Sequence, residues 1–335
     1  MMKVAINGLG RIGRTALKII LDTQQLELVA VNDIAPIENI VYLLKYDTVY
    51  GRYEKTVEQD AENLIIDGKP CRYFSEKDPA RLPWSNLDVD VVLECTGVFT
   101  KREDLEKHVH AGASYVILSA PAKSDDVVTV VHGVNSLDGD TRILACASCT
   151  TNCITPVVEI VGRRIGIKKA IMTTIHAYTA SQVIVDGPGK RFERGRAGAA
   201  NFVPTSTGAA VATAKALPQY TDLFDGIAVR GPVAVGSLAD IVLVTERKTS
   251  VEEINRIFVE EAASEHYRDI VGVTDDPIVS SDIIKDPRAS IIDLGMTRVV
   301  DGDLVKILSW YDNEWGFTNQ MVRQVVEIAQ AIKEV

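Results

Sequence analysis

The sequence predicts an α/β protein: a Rossmann-type dinucleotide-binding domain, then an α+β catalytic domain with a largely antiparallel sheet. Three observations carry this. A glycine-rich turn, N-G-L-G-R-I-G-R at 7–14, follows a short apolar run and opens a helical pattern. Up to residue 148, β-rich runs alternate with helical patterns, as βαβ units on a parallel sheet do. Beyond residue 148 long alternating strands take over, which suit an antiparallel sheet. The expected domains are 1–148 and 149–313, with a C-terminal helix at 314–335 packing back on the first.

The elements follow in order. KVAIN (3–7) is a buried strand, RIGRTALKIIL (11–21) a helix by its apolar spacing, and LVAVND (28–33) the next strand. Residues 63–74 read as a hairpin turning at Asp67-Gly68. Two further strands at 89–97 and 114–120 bracket a helix at 101–110. RILACA (142–147) is a strand that runs into a helix opening at CTTNC. KKAIMTTIHA (168–177) is a strand, and residues 178–201 show little periodicity. Strands at 225–231 and 237–246, a helix at 251–265, strands at 289–295 and 304–310, and a last helix at 316–333 complete the chain.

Composition narrows the function. The chain has 335 residues, 46% hydrophobic and 24% charged, enough to bury a core without disulfides. A formal net charge of −10 opposes sequence-independent binding to nucleic acid or to acidic membrane surfaces. No stretch approaches the length of apolar chain that spans a bilayer, and the N-terminus reaches Asn7 too soon for a signal peptide. The five cysteines are odd in number; Cys146 and Cys149 form a C-x-x-C, but no second ligand pair follows, so no metal site is expected. The expectation is a reduced, cytoplasmic enzyme.

Gly8, Gly10 and Gly13 have GxGxxG spacing, and Asp33 stands twenty positions beyond Gly13 at the end of the second strand. Gly8 permits the turn, Gly10 lets backbone approach a pyrophosphate, and Gly13 lets helix and strand pack closely. The helix N-terminus then meets phosphate. Asp33 is expected to accept from ribose hydroxyls and to repel the additional phosphate of NADP, which points to NAD.

Cys149, in A-S-C-T-T-N-C, falls in the first turn of a helix, where unpaired N–H groups stabilise a thiolate. His176, in T-T-I-H-A-Y-T, ends an apolar strand. An imidazole beside a thiol can take its proton.

NGLGRIGR, ASCTTNC, HAYT, PTSTGAA and WYDNEWG, in this order along the whole chain, resemble the motifs of the glyceraldehyde-3-phosphate dehydrogenase family. The resemblance implies that Cys149 adds to the aldehyde, that hydride passes to NAD, and that inorganic phosphate attacks the resulting thioester, with His176 as base. It implies contacts of Thr179 and Arg230 with the phosphate of glyceraldehyde 3-phosphate. Ser148, Thr150, Arg194, Thr207 and Gly208 are implied at substrate and inorganic phosphate. Arg11, Ile12, Lys77, Ser119 and Asn313 are implied at the cofactor, Asn313 on the nicotinamide carboxamide. A homotetramer is implied as well.

Some positions depart from the family pattern. Phe317 stands where tyrosine is usual, Lys77 replaces a frequent arginine, and Gly187-Pro188 replaces a bulkier pair associated with strict NAD use. RGPVAVGSLADI (230–241) also differs. Gly187 and Phe317 leave NADP use open, and the change at 230–241 alters the wall near Arg230. Two alternatives are an erythrose-4-phosphate dehydrogenase, disfavoured by the intact Thr205–Gly208 segment, and a non-catalytic dinucleotide-binding protein, disfavoured by Cys149 with His176.

Overall fold

The computed structural model describes residues 1–136 and 141–333. It divides into two compact units, Met1–Val130 with Leu137–Ala147 and Met321–Val335, and Val131–Ser136 with Ser148–Gln320. The predicted α/β class holds.

The first unit is built on a nine-stranded sheet. Its centre is Met2–Asn7, parallel to Leu26–Asn32 on one side and to Val91–Glu94 on the other. Val91–Glu94, Tyr115–Leu118 and Ile143–Ala145 continue the parallel run in one direction. On the other side Leu26–Asn32 pairs with Lys69–Phe74, whose antiparallel partner is Asn63–Ile66. Val4, Ile6, Val92, Leu93, Val116 and Ile117 have no exposed surface. Such unbroken apolar runs are what a sheet covered on both faces requires. Gly13, Ala16, Leu17 and Ile20 share one face of the helix Arg11–Leu21, and all are buried. The strand order runs outward both ways from Met2–Asn7, so the crevice at the carboxyl ends of these strands is where a doubly wound sheet binds ligand.

The second unit carries an eight-stranded mixed sheet. Ile167–Ala177 pairs antiparallel with Ser237–Thr245, which pairs antiparallel with Leu304–Tyr311. The other neighbour of Ile167–Ala177, Phe224–Gly231, runs parallel to it. Alternating apolar residues on one face, such as Ile241 and Ile307, pack with Ile154, Val157, Val158 and Phe258 from two helices, Cys149–Arg164 and Val251–Ala263. The opposite face leaves Ile171 and Ile227 more than half exposed.

Two helices fall outside the elements expected from the sequence, Ile37–Lys45 and Ala209–Ala216. The second, AAVATAKA, is too rich in alanine to show an apolar stripe. The C-terminal helix spans Trp315–Lys333, and from Met321 onward it counts with the first unit.

Candidate active site

In the first unit a cavity of about 390 Å³ opens at the carboxyl ends of the central strands, lined among others by Asn7, Gly8, Gly10, Asp33, Lys77 and Thr96. Gly8 has φ 92°, and a Cβ there would lie 2.7 Å from the Thr96 backbone nitrogen. A side chain at Gly13 would meet the Gly8 carbonyl oxygen at 1.9 Å. A Cβ on Gly10 would meet nothing within 4 Å, so the space in front of the helix is clear. Gly10 is the N-cap of Arg11–Leu21, the helix has no side-chain cap, and its first turn holds no acidic residue. A helix start of this kind favours an anion in front of it.

Asp33 does more than the motif predicts. Its Oδ2 accepts from the Leu9 N–H at 2.6 Å and its Oδ1 from the Ala35 N–H at 2.9 Å. The carboxylate thus braces the glycine turn, with lone pairs left for a ribose. Arg11 turns its guanidinium to Asp47 and over the Tyr50 ring, which leaves the helix backbone as its point of approach to a phosphate. Ile12 is half-buried in the same turn. Ser119 follows the strand Tyr115–Leu118 and bonds its N–H to the Glu94 carbonyl. The glycines and strand ends fit a dinucleotide, and no metal-ligating cluster occurs among the described residues.

A buried polar network beneath this cavity went unread in the sequence. Glu94, without exposed surface, accepts from Asn7 Nδ2 at 2.6 Å and from the Thr96 N–H at 2.8 Å, and the Thr96 hydroxyl donates to it as well. His108 Nε2 lies 3.1 Å from the same carboxylate. The Trp84 indole N–H, which can only donate, reaches His108 Nδ1 at 3.0 Å. That fixes the proton on Nε2, where it points to Glu94. A buried carboxylate is costly unless its lone pairs are filled, and here they are. The signal was present: E-C-T-G ends a buried strand at the ligand side of the sheet.

The second unit assembles the thiol. Ser148 is the N-cap of Cys149–Arg164, its Oγ accepting from the Thr151 N–H at 3.1 Å. The Ser148 hydroxyl predicted at phosphate therefore also caps the helix. Cys149 occupies the first helical position, and its Sγ stands 3.3 Å from His176 Nε2. The parallel register of the two neighbouring strands sets His176 beside Arg230. Arg230 Nη1 lies 2.6 Å from His176 Nδ1 and donates to the Ala177 carbonyl at 3.0 Å. His176 Nδ1 is 2.7 Å from the same carbonyl. The Ala177 carbonyl favours a proton on Nδ1, the tautomer that turns a free Nε2 lone pair toward the thiol, while Arg230 Nη1, which can only donate, competes for the same nitrogen.

The electrostatics refine the expected resting thiolate. Burial pushes the Cys149 thiol up to about 11, against the pull of Arg230 and of the Thr150 and Cys149 N–H groups. Burial pulls His176 down to about 3, and the Arg230 charge adds to this. Both shifts oppose charge separation, so the helix start and Arg230 act on the thiolate as it forms.

The residues expected at phosphate lie on the same unit. Arg230 keeps a buried Nε without a partner. Arg194 donates from Nε to Thr205 Oγ1 at 3.1 Å, and its charge is felt at His176. Thr207 Oγ1 accepts from the Ala209 N–H at 3.2 Å, and Gly208 is the N-cap of Ala209–Ala216 with open space at its Cα. Thr179 Oγ1 pairs with Ser181 Oγ at 2.9 Å. The Thr150 hydroxyl points inward, 2.9 Å from Tyr311 Oη. Asn313 Oδ1 accepts from Ser237 Oγ at 2.9 Å and from the Gly236 N–H at 3.2 Å, which leaves its amide NH2 to donate to a ligand carbonyl. Phe317 is buried in the last helix, and the Gly187 N–H closes the preceding loop on the Gly195 carbonyl.

A Rossmann sheet in one unit, and in the other a thiol in the first turn of a helix beside an imidazole and an arginine, are the parts expected of a dehydrogenase that works through a cysteine. Residues 2–102 match the NAD binding domain, and residues 148–313 the C-terminal domain, of glyceraldehyde 3-phosphate dehydrogenase. The chain is 45% identical over 335 residues to glyceraldehyde-3-phosphate dehydrogenase 2 of Streptomyces avermitilis, covering 99% of each. It is also 45% identical to the glyceraldehyde-3-phosphate dehydrogenases of Clostridium pasteurianum, over 99% of this chain and all of that one, and of Thermotoga maritima, over 96% and 97%. The chain belongs to the glyceraldehyde-3-phosphate dehydrogenase family.

Proposed function

We propose that this protein oxidises glyceraldehyde 3-phosphate and phosphorylates it in one cycle, with Cys149 as nucleophile and His176 as base. The observation that carries this is the 3.3 Å approach of Cys149 Sγ to His176 Nε2 at a helix start beside Arg230. As the sulfur attacks the aldehyde carbon, its proton passes to Nε2 and on to the new oxyanion, giving a hemithioacetal. NAD, when bound, would supply the hydride acceptor. His176 takes the hydroxyl proton in that step, while the Ala177 carbonyl steadies Nδ1. A thioester on Cys149 remains. Inorganic phosphate attacks it, the C–S bond breaks, and an acyl phosphate leaves while the sulfur regains a proton.

Arg230 with Thr179 holds the substrate phosphate; Arg194, Thr207, Gly208, Ser148 and the Thr150 backbone serve substrate and inorganic phosphate. Forked guanidinium donors and N–H groups at helix starts suit both. On the cofactor side, Gly8, Gly10, Gly13, Arg11 and Ile12 form the pyrophosphate turn, Asp33 meets the ribose, Lys77 and Ser119 line the approach, and Asn313 donates to the carboxamide. The test is an assay at the nicotinamide absorbance with glyceraldehyde 3-phosphate. The rate should depend on inorganic phosphate, and kcat/KM should be higher with NAD than with NADP because Asp33 repels the additional phosphate. A phosphate-independent rate would overturn the phosphorylating reaction, and a higher kcat/KM with NADP would overturn the role of Asp33.

The same reading includes a cytoplasmic homotetramer. Ile184 is 90% and Phe192 97% exposed on the loop after Ile167–Ala177, near in sequence to the exposed Val185 and Phe202. Monomers seldom present so much apolar surface to water. Light scattering should give about four times the 36.6 kDa chain mass. The double variant Ile184→Asp/Phe192→Asp should give a smaller particle. A wild-type monomer would contradict the tetramer.

A further inference from the structure

Glu94 has no part in the chemistry above, yet three segments of the cofactor cavity depend on it. It ends the strand Val91–Glu94. Thr96 gives Oε1 both its N–H and its hydroxyl. Asn7 Nδ2 and His108 Nε2 give to Oε2. All four donors are neutral, because the Trp84 indole N–H occupies His108 Nδ1. Three of these bonds lead into the cavity wall, and His108 fills the fourth place from behind. The Thr96 backbone nitrogen packs directly on Gly8, so the bond from Glu94 sets that wall against the glycine turn. Asn7 begins the turn, and its Oδ1 accepts from Asn32 Nδ2 at 2.7 Å. Asn32 in turn clamps the Glu76 backbone, donating to its carbonyl at 2.9 Å and accepting from its N–H at 2.8 Å. Lys77, the next residue, lines the same cavity.

We propose that Glu94 is a positioning residue for the cofactor, holding the glycine turn, the Glu76-Lys77 segment and Thr96 in the arrangement that receives the adenosine diphosphate half of NAD. This rests on the glycine turn being the pyrophosphate site. The direction of every bond follows from donor counting. A carboxylate only accepts, so Asn7 turns its NH2 to Glu94 and its carbonyl oxygen to Asn32. The Glu76 N–H only donates, so Asn32 must face it with oxygen. A carboxylate is the one side chain that offers acceptors alone on both of its terminal atoms. Glutamine in its place has an NH2 on one side. If that NH2 faces Thr96, it meets two donors, and Thr96 must move off the glycine turn. If it faces Asn7, the Asn7 amide must flip, and two NH2 groups then meet between Asn7 and Asn32. Either way the fault passes from a buried residue to the cavity wall. The whole network belongs to the first unit, so Cys149 and His176 in the second take no part in it.

The test is calorimetric titration of the full-length protein with NAD and, separately, with ADP-ribose. In Glu94→Gln both dissociation constants should rise together by about tenfold, the worth of one hydrogen bond to a charged group. In the assay KM for NAD should rise by a similar factor, while kcat at saturating NAD and KM for the aldehyde stay within about twofold. His108→Leu removes one donor from the same carboxylate without touching the cavity, and should weaken both ligands by less. A folded Glu94→Gln with wild-type affinity for both ligands overturns the proposal, even if its Tm falls, because a packing role alone would lower Tm and leave binding in place. Weaker NAD binding with ADP-ribose unchanged also overturns it. If Glu94→Gln does not fold, unchanged affinities in His108→Leu overturn it. Wild-type protein that binds NAD but not ADP-ribose would overturn the pyrophosphate site at the glycine turn, and the proposal with it.

Discussion

Replacing Cys149 by serine is expected to remove dehydrogenase activity to below one part in about ten thousand, with the fold intact. The loss follows from chemistry and position together. A serine hydroxyl is far less acidic than a thiol, and the imidazole held near 3 by burial and Arg230 is too weak a base to ionise it at rest. The oxygen is also shorter-bonded than sulfur, so it would retreat from His176 Nε2, already 3.3 Å away. The substitution leaves the Ser148 cap and the core side of the helix untouched, so Tm should move by only a few degrees. NAD binding, followed by quenching of tryptophan fluorescence, should survive. Residual activity above about one per cent of wild type would contradict the assignment.

The second large effect is expected at His176. His176→Asn should lower kcat by about a hundredfold to ten-thousandfold, the range that a positioned general base supplies. KM for the aldehyde should change much less, because Arg230 and the other residues proposed at the phosphates remain. The imidazole also marks the pH profile. Its folded pKa lies below the ordinary 6.5, so the native state binds fewer protons than the unfolded chain. Its contribution to stability is then complete above about pH 6.5 and is lost as pH falls toward about 3. His176→Asn should therefore flatten the acid limb of a stability curve over that window. An unchanged kcat in a folded His176→Asn would remove the base from the mechanism; an unchanged acid limb would show that burial does not suppress its protonation.

Much of this was legible in the sequence, because several signals are local. The glycine turn lies within eight residues, and the thiol lies at a strand-to-helix junction readable from A-S-C-T-T-N-C. His176 marks the end of an apolar run. Long-range pairing was less legible. Arg230 stands next to His176 only because Ile167–Ala177 and Phe224–Gly231 pair in parallel register, an arrangement no local pattern encodes. The sheet is otherwise largely antiparallel as expected, and this parallel pair is where the cation joins the site. Glu94 and His108 were overlooked for a similar reason: each looks like an isolated polar residue until Trp84 and Asn7 close around them. The motif spacing points Asp33 at a ribose, but its bonds to the Leu9 and Ala35 N–H groups come from turn geometry that spacing does not report. The inward turn of the Thr150 hydroxyl toward Tyr311 spans 161 positions of sequence and had no local trace.

The central claim is that the carbon skeleton of the substrate is carried on Cys149 between oxidation and phosphorylation. It is tested most directly by mixing enzyme, NAD and glyceraldehyde 3-phosphate without inorganic phosphate, quenching in acid and locating the adduct by peptide mass spectrometry. The account predicts one acyl group per chain, on Cys149 and not on Cys146 or Cys153 of the same peptide, discharged when phosphate is added before the quench. An adduct on another residue, or turnover with no acyl-enzyme at any time, would contradict it.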